Sequence, residues 1–356
     1  MPSMNLLSSK SVTLQDIANE VGVHKSTVQR ALHGDPRVEA GTIARINEVA
    51  TRMGYDPEAN HAARRLSLRK SGRGESTKLV ALFFPLVSSR APYFLRQFVG
   101  FMEVMSDAGY DVLTRILDRM GDQRLPPAVM RGDVDAMVAL ADPEWLTRQQ
   151  NLFANMPAVR RPLITLINPV PGAWSATADF RQAGRMSIGH LLDLGHRRII
   201  SISNMSHQFA ERVAGYRDEL VARGLDPDRH LVALDCDNTI SDWTEKVADA
   251  IDRLLAACPD ATAFLAPNDQ LAGLAITLFA ERNRPVPEAM SLVGFDDTDP
   301  VPGPDHQNIL TTVAVPLEQI GRQAARLALS PGDGPRTVVL PTGLRVRGTT
   351  RPPKTA

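Results

Sequence analysis

From Leu79 onward, short apolar runs (LVALFF, AMVAL, PLITLI, RIISIS, TAFLA and SLVGF) alternate with longer stretches of helical periodicity such as FLRQFVGFMEVMSDAG and TEKVADAIDRLLAAC. Strand and helix alternating in this way predict parallel sheets covered by helices on both faces. More than 270 residues of the pattern exceed what one sheet and one core comfortably hold, so two doubly wound lobes are expected. In open sheets of this kind, ligands sit in the crevice at the carboxyl ends of the strands.

The first 73 residues follow a different rule. Thr13 with Asp16 three positions on has the spacing of a capping box, and Leu14, Ile17, Ala18 and Val21 repeat at helical intervals. Gly22 permits the left-handed turn that ends this helix; Val28, Ala31 and Leu32 give a second helix, starting near Lys25, its apolar side. A third stripe, Ile43, Ile46, Val49, Ala50 and Met53, stops at Gly54. Three short helices with a tight turn between the first two predict a helix-turn-helix. The outer side of the second helix offers His24, Lys25, Ser26, Gln29 and Arg30, donors and acceptors suited to base edges and phosphates in a major groove.

Charge supports the partition. Lys+Arg and Asp+Glu are equal at 40 each, yet residues 1–73 hold 11 cations against 7 acids, and the remainder 29 against 33. A polyanion partner is therefore expected at one end only. The run RRLSLRKSGR, residues 64–73, has five cations and no acid, as a phosphate-contacting arm would. The N-terminal residues lack a signal-like apolar stretch, the longest apolar run (LVALFFPLV) is too short to span a bilayer, and Cys236 and Cys258 make no disulfide framework. These features predict a cytoplasmic chain with reduced thiols. There is no GxSxG, GxxxxGK[ST], HExxH or CxxC, so enzyme chemistry of those kinds lacks its residues, and neither a metal nor a cofactor is expected.

The stretch VTLQDIANEVGVHKSTVQRALHG, with TIARINEVATRMGYDP after it, resembles the DNA-binding head of the lac and gal repressor (LacI/GalR) family of bacterial transcription regulators. The likeness continues through GHLLDLGHRRI, ERVAGYRDEL, APNDQLAGLA, SLVGFDDT, LTTVAVPLEQIGRQAARLAL and LPTGLRVRGTTRPP. The resemblance implies an all-α head at 11–58, a hinge helix and basic linker at 59–77, and a periplasmic-binding-protein-like core at 78–356. The chain should cross between the lobes near Asp179, Thr311 and Pro341, giving lobe 1 as about 78–178 and 312–340 and lobe 2 as about 179–311 and 341–356. It further implies a repressor that binds a pseudo-palindromic operator as a homodimer or higher oligomer and answers to a small effector, a sugar or related polyol. DNA contacts are expected from Thr13, His24, Lys25, Ser26, Thr27, Gln29, Arg30, Tyr55, Ala63, Arg64 and Leu66. Leu66 is the candidate minor-groove wedge, although it lies two residues further from Tyr55 than the family's spacing puts it. Arg212, Asn268 and Asp296 are expected to hydrogen-bond the effector, with Trp243 stacking on it and Phe94 in an apolar wall beside Phe83, Pro92 and Tyr93. Phe180 replaces a commonly polar residue, making the pocket less polar than a typical sugar site. Two other classes stand beside this one: a stand-alone sugar-binding protein, which a basic head does not suit, and an enzyme on the same α/β core.

Overall fold

The computed structural model describes residues 12–32, 35–55, 76–85, 91–117, 125–130, 132–140, 162–203, 207–235, 243–334 and 336–354. The chain divides into two compact units, Met1–Thr77 and Lys78–Ala356.

In the first unit, α1 (Leu14–Val21), α2 (Lys25–Leu32) and α3 (Ala40–Arg52) enclose one small core. The capping box forms as its spacing predicts: the Asp16 amide donates to Thr13 Oγ1 at 3.3 Å, and the Thr13 amide donates back to Asp16 Oδ2 at 2.8 Å. Gly22, at φ 76°, makes the left-handed turn out of α1. Ile17, Val28 and Ile46, one from each helix, are completely buried, and each contributes on the order of 1.5–3 kcal/mol.

The second unit has two six-stranded sheets. The first contains β1 (Leu79–Pro85), β2 (Asp111–Leu117), β3 (Ala136–Ala139), β4 (Leu163–Leu166), β5 (Trp174–Ala178) and β11 (Thr337–Leu340), in the order β11-β5-β4-β3-β1-β2 and parallel throughout. The second contains β6 (Ile199–Ser203), β7 (Leu231–Asp235), β8 (Ala263–Leu265), β9 (Ser291–Asp296), β10 (Thr312–Ala314) and β12 (Gly343–Arg345), ordered β12-β10-β9-β8-β6-β7; only the β10–β12 pair is antiparallel. Successive side chains of a strand enter cores on opposite faces, Val80 and Leu82 on one and Ala81 and Phe83 on the other. That is why these strands read as unbroken apolar runs.

Three crossings join the lobes. The first follows Ala178, the third lies between Leu340 and Gly343, and the second comes after Ala314. The second falls beyond the expected Thr311, because Thr312–Ala314 pairs with β9 and so belongs to lobe 2; lobe 1 resumes only after that strand. At the crossings the segments are themselves paired: Ala178 opposite Leu340 in the first sheet, and Ala314 opposite Gly343 in the second.

Each lobe is braced by a close helix crossing. In lobe 1, α4 (Ala91–Asp107) meets α11 (Leu317–Leu329), where a methyl on Gly100 would be driven into the Glu318 carbonyl and one on Gly321 into that of Gln97. In lobe 2, α6 (Phe180–Asp193) meets α7 (His207–Ala222), with Gly184 against the Arg212 carbonyl and Gly215 against that of Arg181. Cross-helix ion pairs lie over both contacts, Arg322–Glu103 at 2.7 Å and Arg181–Asp218 at 2.6 Å. The carboxyl-terminal segment is pinned to lobe 2: His196 bridges Thr262 Oγ1 (2.8 Å) and the Arg351 carbonyl (2.9 Å), and His190 Nε2 meets Thr350 Oγ1 at 3.0 Å. Burial lowers the pKa of both imidazoles.

Candidate effector cleft and DNA-reading helix

On the head, His24, Lys25, Ser26, Gln29 and Arg30 are exposed while Val28 and Ala31 are buried. The polar set therefore occupies the solvent face of α2, as its periodicity requires. His24 contributes to the entry of that helix. The Ser26 amide donates to its Nδ1 at 3.3 Å, the Ser26 hydroxyl lies 2.9 Å from the same atom, and the Thr27 amide donates to its carbonyl at 2.8 Å. Thr13 is exposed at the cap of α1, whereas Thr27 and Tyr55 are half-buried, Tyr55 against the head's core. Ala63, Arg64 and Leu66 lie outside the described residues.

In lobe 2, the carboxyl ends of neighbouring strands bring three of the expected residues into one region. Asp296 is the last residue of β9, and Asn268, just beyond β8, caps α10 (Asp269–Glu281), its Oδ1 accepting from the Leu271 amide at 2.8 Å. Arg212 lies inside α7. Arg212 and Asp296 are each 1 % exposed, with Nη2 and Oδ1 3.8 Å apart; Nη1 donates to the Pro267 carbonyl at 2.7 Å. Three phenyl rings surround the guanidinium, Phe295 at 3.3 Å, Phe209 at 4.5 Å and Phe180 at 5.2 Å from ring centre to Cζ. A planar, weakly hydrated guanidinium is the cation that tolerates such a site. Phe180 and Phe295 also stack on one another, 6.2 Å apart.

The backbone here is held in conformations that residues other than glycine rarely adopt: φ is 101° at Asp296 and 57° at Asp297. Across in lobe 1, Ile167 has φ 69° at the end of β4, and the Asn168 amide donates to the Leu166 carbonyl at 2.7 Å. This is a γ-turn of the strained, positive-φ kind. Phe94 is half-buried on the lobe 1 core, edge-on to Tyr93 at 5.4 Å; Phe83 is buried and Pro92 exposed. Trp243 begins α9 (Trp243–Ala257), its side chain lying outside the described residues.

Asp269 opens α10. It is 1 % exposed, accepting from Thr312 Oγ1 at 2.5 Å and from the Thr298 amide at 2.8 Å. Burial first, then the neighbouring Asp296, pushes its pKa up to about 8. Gly294, inside SLVGF, was the available signal, since a methyl there would collide with this carboxyl group. Of the other two walls around Arg212, Phe209 carried no motif, and Phe295, although inside SLVGF, was not singled out.

A helix-turn-helix head on a chain with a two-lobed α/β body defines a DNA-binding regulator whose body is built like a ligand-binding protein. The profile of the lacI family of bacterial regulatory proteins matches residues 13–58, and that of the periplasmic binding protein-like domain matches 188–350. The HTH-type transcriptional regulator CelR of Thermobifida fusca is 29% identical over 351 residues, covering 94% of this chain and 97% of the relative. Among solved structures, a transcriptional regulator CelR–cellobiose complex aligns with a TM-score of 0.64 at 24% identity, covering 95% of this chain and 99% of the other. The lac repressor dimer bound to operator and the anti-inducer ONPF gives 0.70 at 21% identity, covering 96% and 100%. The chain thus carries a lacI-family DNA-binding head and a periplasmic binding protein-like domain, and the relatives it matches along nearly its whole length are transcriptional regulators rather than enzymes. No described helix is long and apolar enough to cross a membrane.

Proposed function

We propose that the protein is a cytoplasmic repressor that binds a pseudo-palindromic operator as a homodimer or higher oligomer and responds to a sugar or related polyol held between its lobes. The observation that carries the reading is the buried Arg212–Asp296 pair beside Asn268 at adjacent strand ends, in a chain whose head exposes a basic, amide-bearing helix. Guanidinium, amide and carboxylate together supply the donors and acceptors that hydroxyl groups need, and cellobiose is the ligand in the CelR complex. Phe94 and Trp243 would flank the ligand. In the head, Lys25, Ser26 and Gln29 would read base edges, and Thr13, His24, Thr27, Arg30, Tyr55, Ala63, Arg64 and the Leu66 wedge would fix the helix on the backbone and minor groove.

A gel shift with DNA from upstream of the protein's own coding region, with and without a panel of sugars, tests this reading. Retardation of that fragment over random DNA of equal length, reversed by one sugar, is expected. Equal retardation of both fragments would end the operator reading, and retardation insensitive to every sugar would end the effector reading. Gln29→Ala should relax preference at one base pair by about 1–3 kcal/mol.

A further inference from the structure

Two carboxyl groups and one guanidinium are buried together in lobe 2. Asp296 and Arg212 face each other; the remaining member is Asp269, whose oxygens join three separate segments. Oδ1 meets Thr312 of β10, Oδ2 accepts from Thr298 in the loop after β9, and the residue itself opens α10. Its carboxyl group lies against Gly294 of β9, the register partner of Thr312, so any side chain at Gly294 would displace it. The segments it joins carry Asn268, carry Asp296, and lead from β10 into the second crossing. The charges nearby are few. Asp296 faces Asp269 from β9, Arg212 reaches the group from α7 by way of Asp296, Asp297 pairs with Arg347 at 2.9 Å, and Asp299 accepts from the Thr298 hydroxyl. Among the described residues, one cation for two buried carboxyls leaves the second without a counter-charge, and an uncompensated ion in such a place is strongly disfavoured.

We propose that Asp269 is a positioning residue that works as a neutral carboxylic acid, its Oδ2 accepting from the Thr298 amide and its proton on Oδ1 shared with Thr312 Oγ1, locking the mouth of α10, the end of β9 and β10 into one unit, so that its proton links the cleft's shape to pH. Ionisation would set a second negative charge beside Asp296 and loosen the segments that present Asn268 and Asp296. The pKa near 8 agrees with this charge balance. Because the folded value lies above the usual carboxylate range, the folded state holds the extra proton between the two values. Stability from this group is therefore greatest at low pH and is lost as pH rises towards about 8. The part of the proposal that concerns ligand affinity rests on the effector reading above; the charge state does not.

The test uses the full-length protein and Asp269→Asn, which keeps the shape and fixes the group neutral. Difference infrared spectra should show the carbonyl stretch of a protonated acid at neutral pH, fading as the pH passes about 8 and missing from D269N. Melting temperatures should fall for the wild type between about pH 6 and 9 and fall less for D269N. With cellobiose as probe, the wild type should lose about tenfold in affinity over that range while D269N does not, and Asp269→Ala should bind weakly throughout. Absence of the acid band, with wild type and D269N responding alike to pH, would overturn the proposal. So would cellobiose affinity that falls equally in both. If the wild type binds no cellobiose at any pH, that choice of effector fails, and the infrared and melting arms still decide the state of Asp269.

Discussion

The two lobes share a plan and differ in what they carry at its edge. Both have six strands, a glycine-to-backbone helix crossing and strained backbone at a strand end. In lobe 1 one such residue is Ile167, in the core cluster that also holds Tyr93 and Phe94; in lobe 2 one is Asp296, beside Arg212, Asn268 and Asp269. The same scaffold thus presents an apolar edge on one side and a charged, hydrogen-bonding edge on the other. Non-directional contact tolerates small movements of a lobe, whereas hydrogen bonds fix an orientation. On the proposed reading, lobe 2 selects the ligand and lobe 1 covers it.

The comparison breaks most visibly at the charged edge. Asp296→Ala should lower the stability of the core by about 3 kcal/mol, because it strands a buried guanidinium, and should abolish the effector response. Phe94→Ala in lobe 1 should cost only about 1–2 kcal/mol, its ring being half-buried. Urea denaturation of both variants checks the contrast, and equal losses would mean that the Arg212–Asp296 pair contributes no more than a surface contact.

Next in size are the braces. Gly321→Ala and Gly184→Ala each force a methyl into a carbonyl of the facing helix, a backbone-to-backbone overlap that rotamer changes cannot relieve, so each should cost about 3 kcal/mol. If the lobes unfold as one cooperative unit, calorimetry will show a single lowered transition in both variants. Two transitions in one variant alone would show that the braces are unequal.

Strain gives a finer distinction. Ile167→Gly loses a buried side chain but relieves about 1–2 kcal/mol of left-handed strain, so it should be less damaging than Ile164→Gly in the preceding strand β4, where φ is ordinary. Matching losses in chemical denaturation would show that the turn at Ile167 holds no strain. The smallest effect is confined to lobe 2. Burial holds the His196 pKa below that of the unfolded chain, so its contribution is complete above the ordinary histidine value and is lost as pH falls beneath it. His196→Gln should flatten the acid side of the melting profile. An unchanged profile would assign that slope to other groups.

Much of this arrangement was legible in the sequence. The runs LVALFF, AMVAL, PLITLI, RIISIS, TAFLA and SLVGF coincide with β1, β3, β4, β6, β8 and β9, because strands buried on both faces need no alternation. WSATA, which became β5, could not be read in that way: its polar atoms are satisfied by distant partners, Ser175 by Thr165 and Thr177 by the Ile167 carbonyl. β10 and β12 are three residues each, too short for periodicity, which is why the second crossing was placed too early. Arg212, Asn268 and Asp296 stood out through local motifs. The carboxyl strut at Asp269 did not, since its meaning depends on Thr298, Thr312 and Gly294, brought together only by folding.

The pairing of the crossings has a kinematic consequence. The strand end at Leu340 is bonded to the first crossing on one side, and Gly343 to the second on the other, so the third crossing serves as the shared link of a three-bar mechanism. Only Pro341 and Thr342 separate its two anchored ends, and proline fixes one of the few torsions available. A linkage that short allows the lobes essentially one coordinated swing rather than free tumbling. Its path is written into the two residues of the third crossing, Pro341 and Thr342.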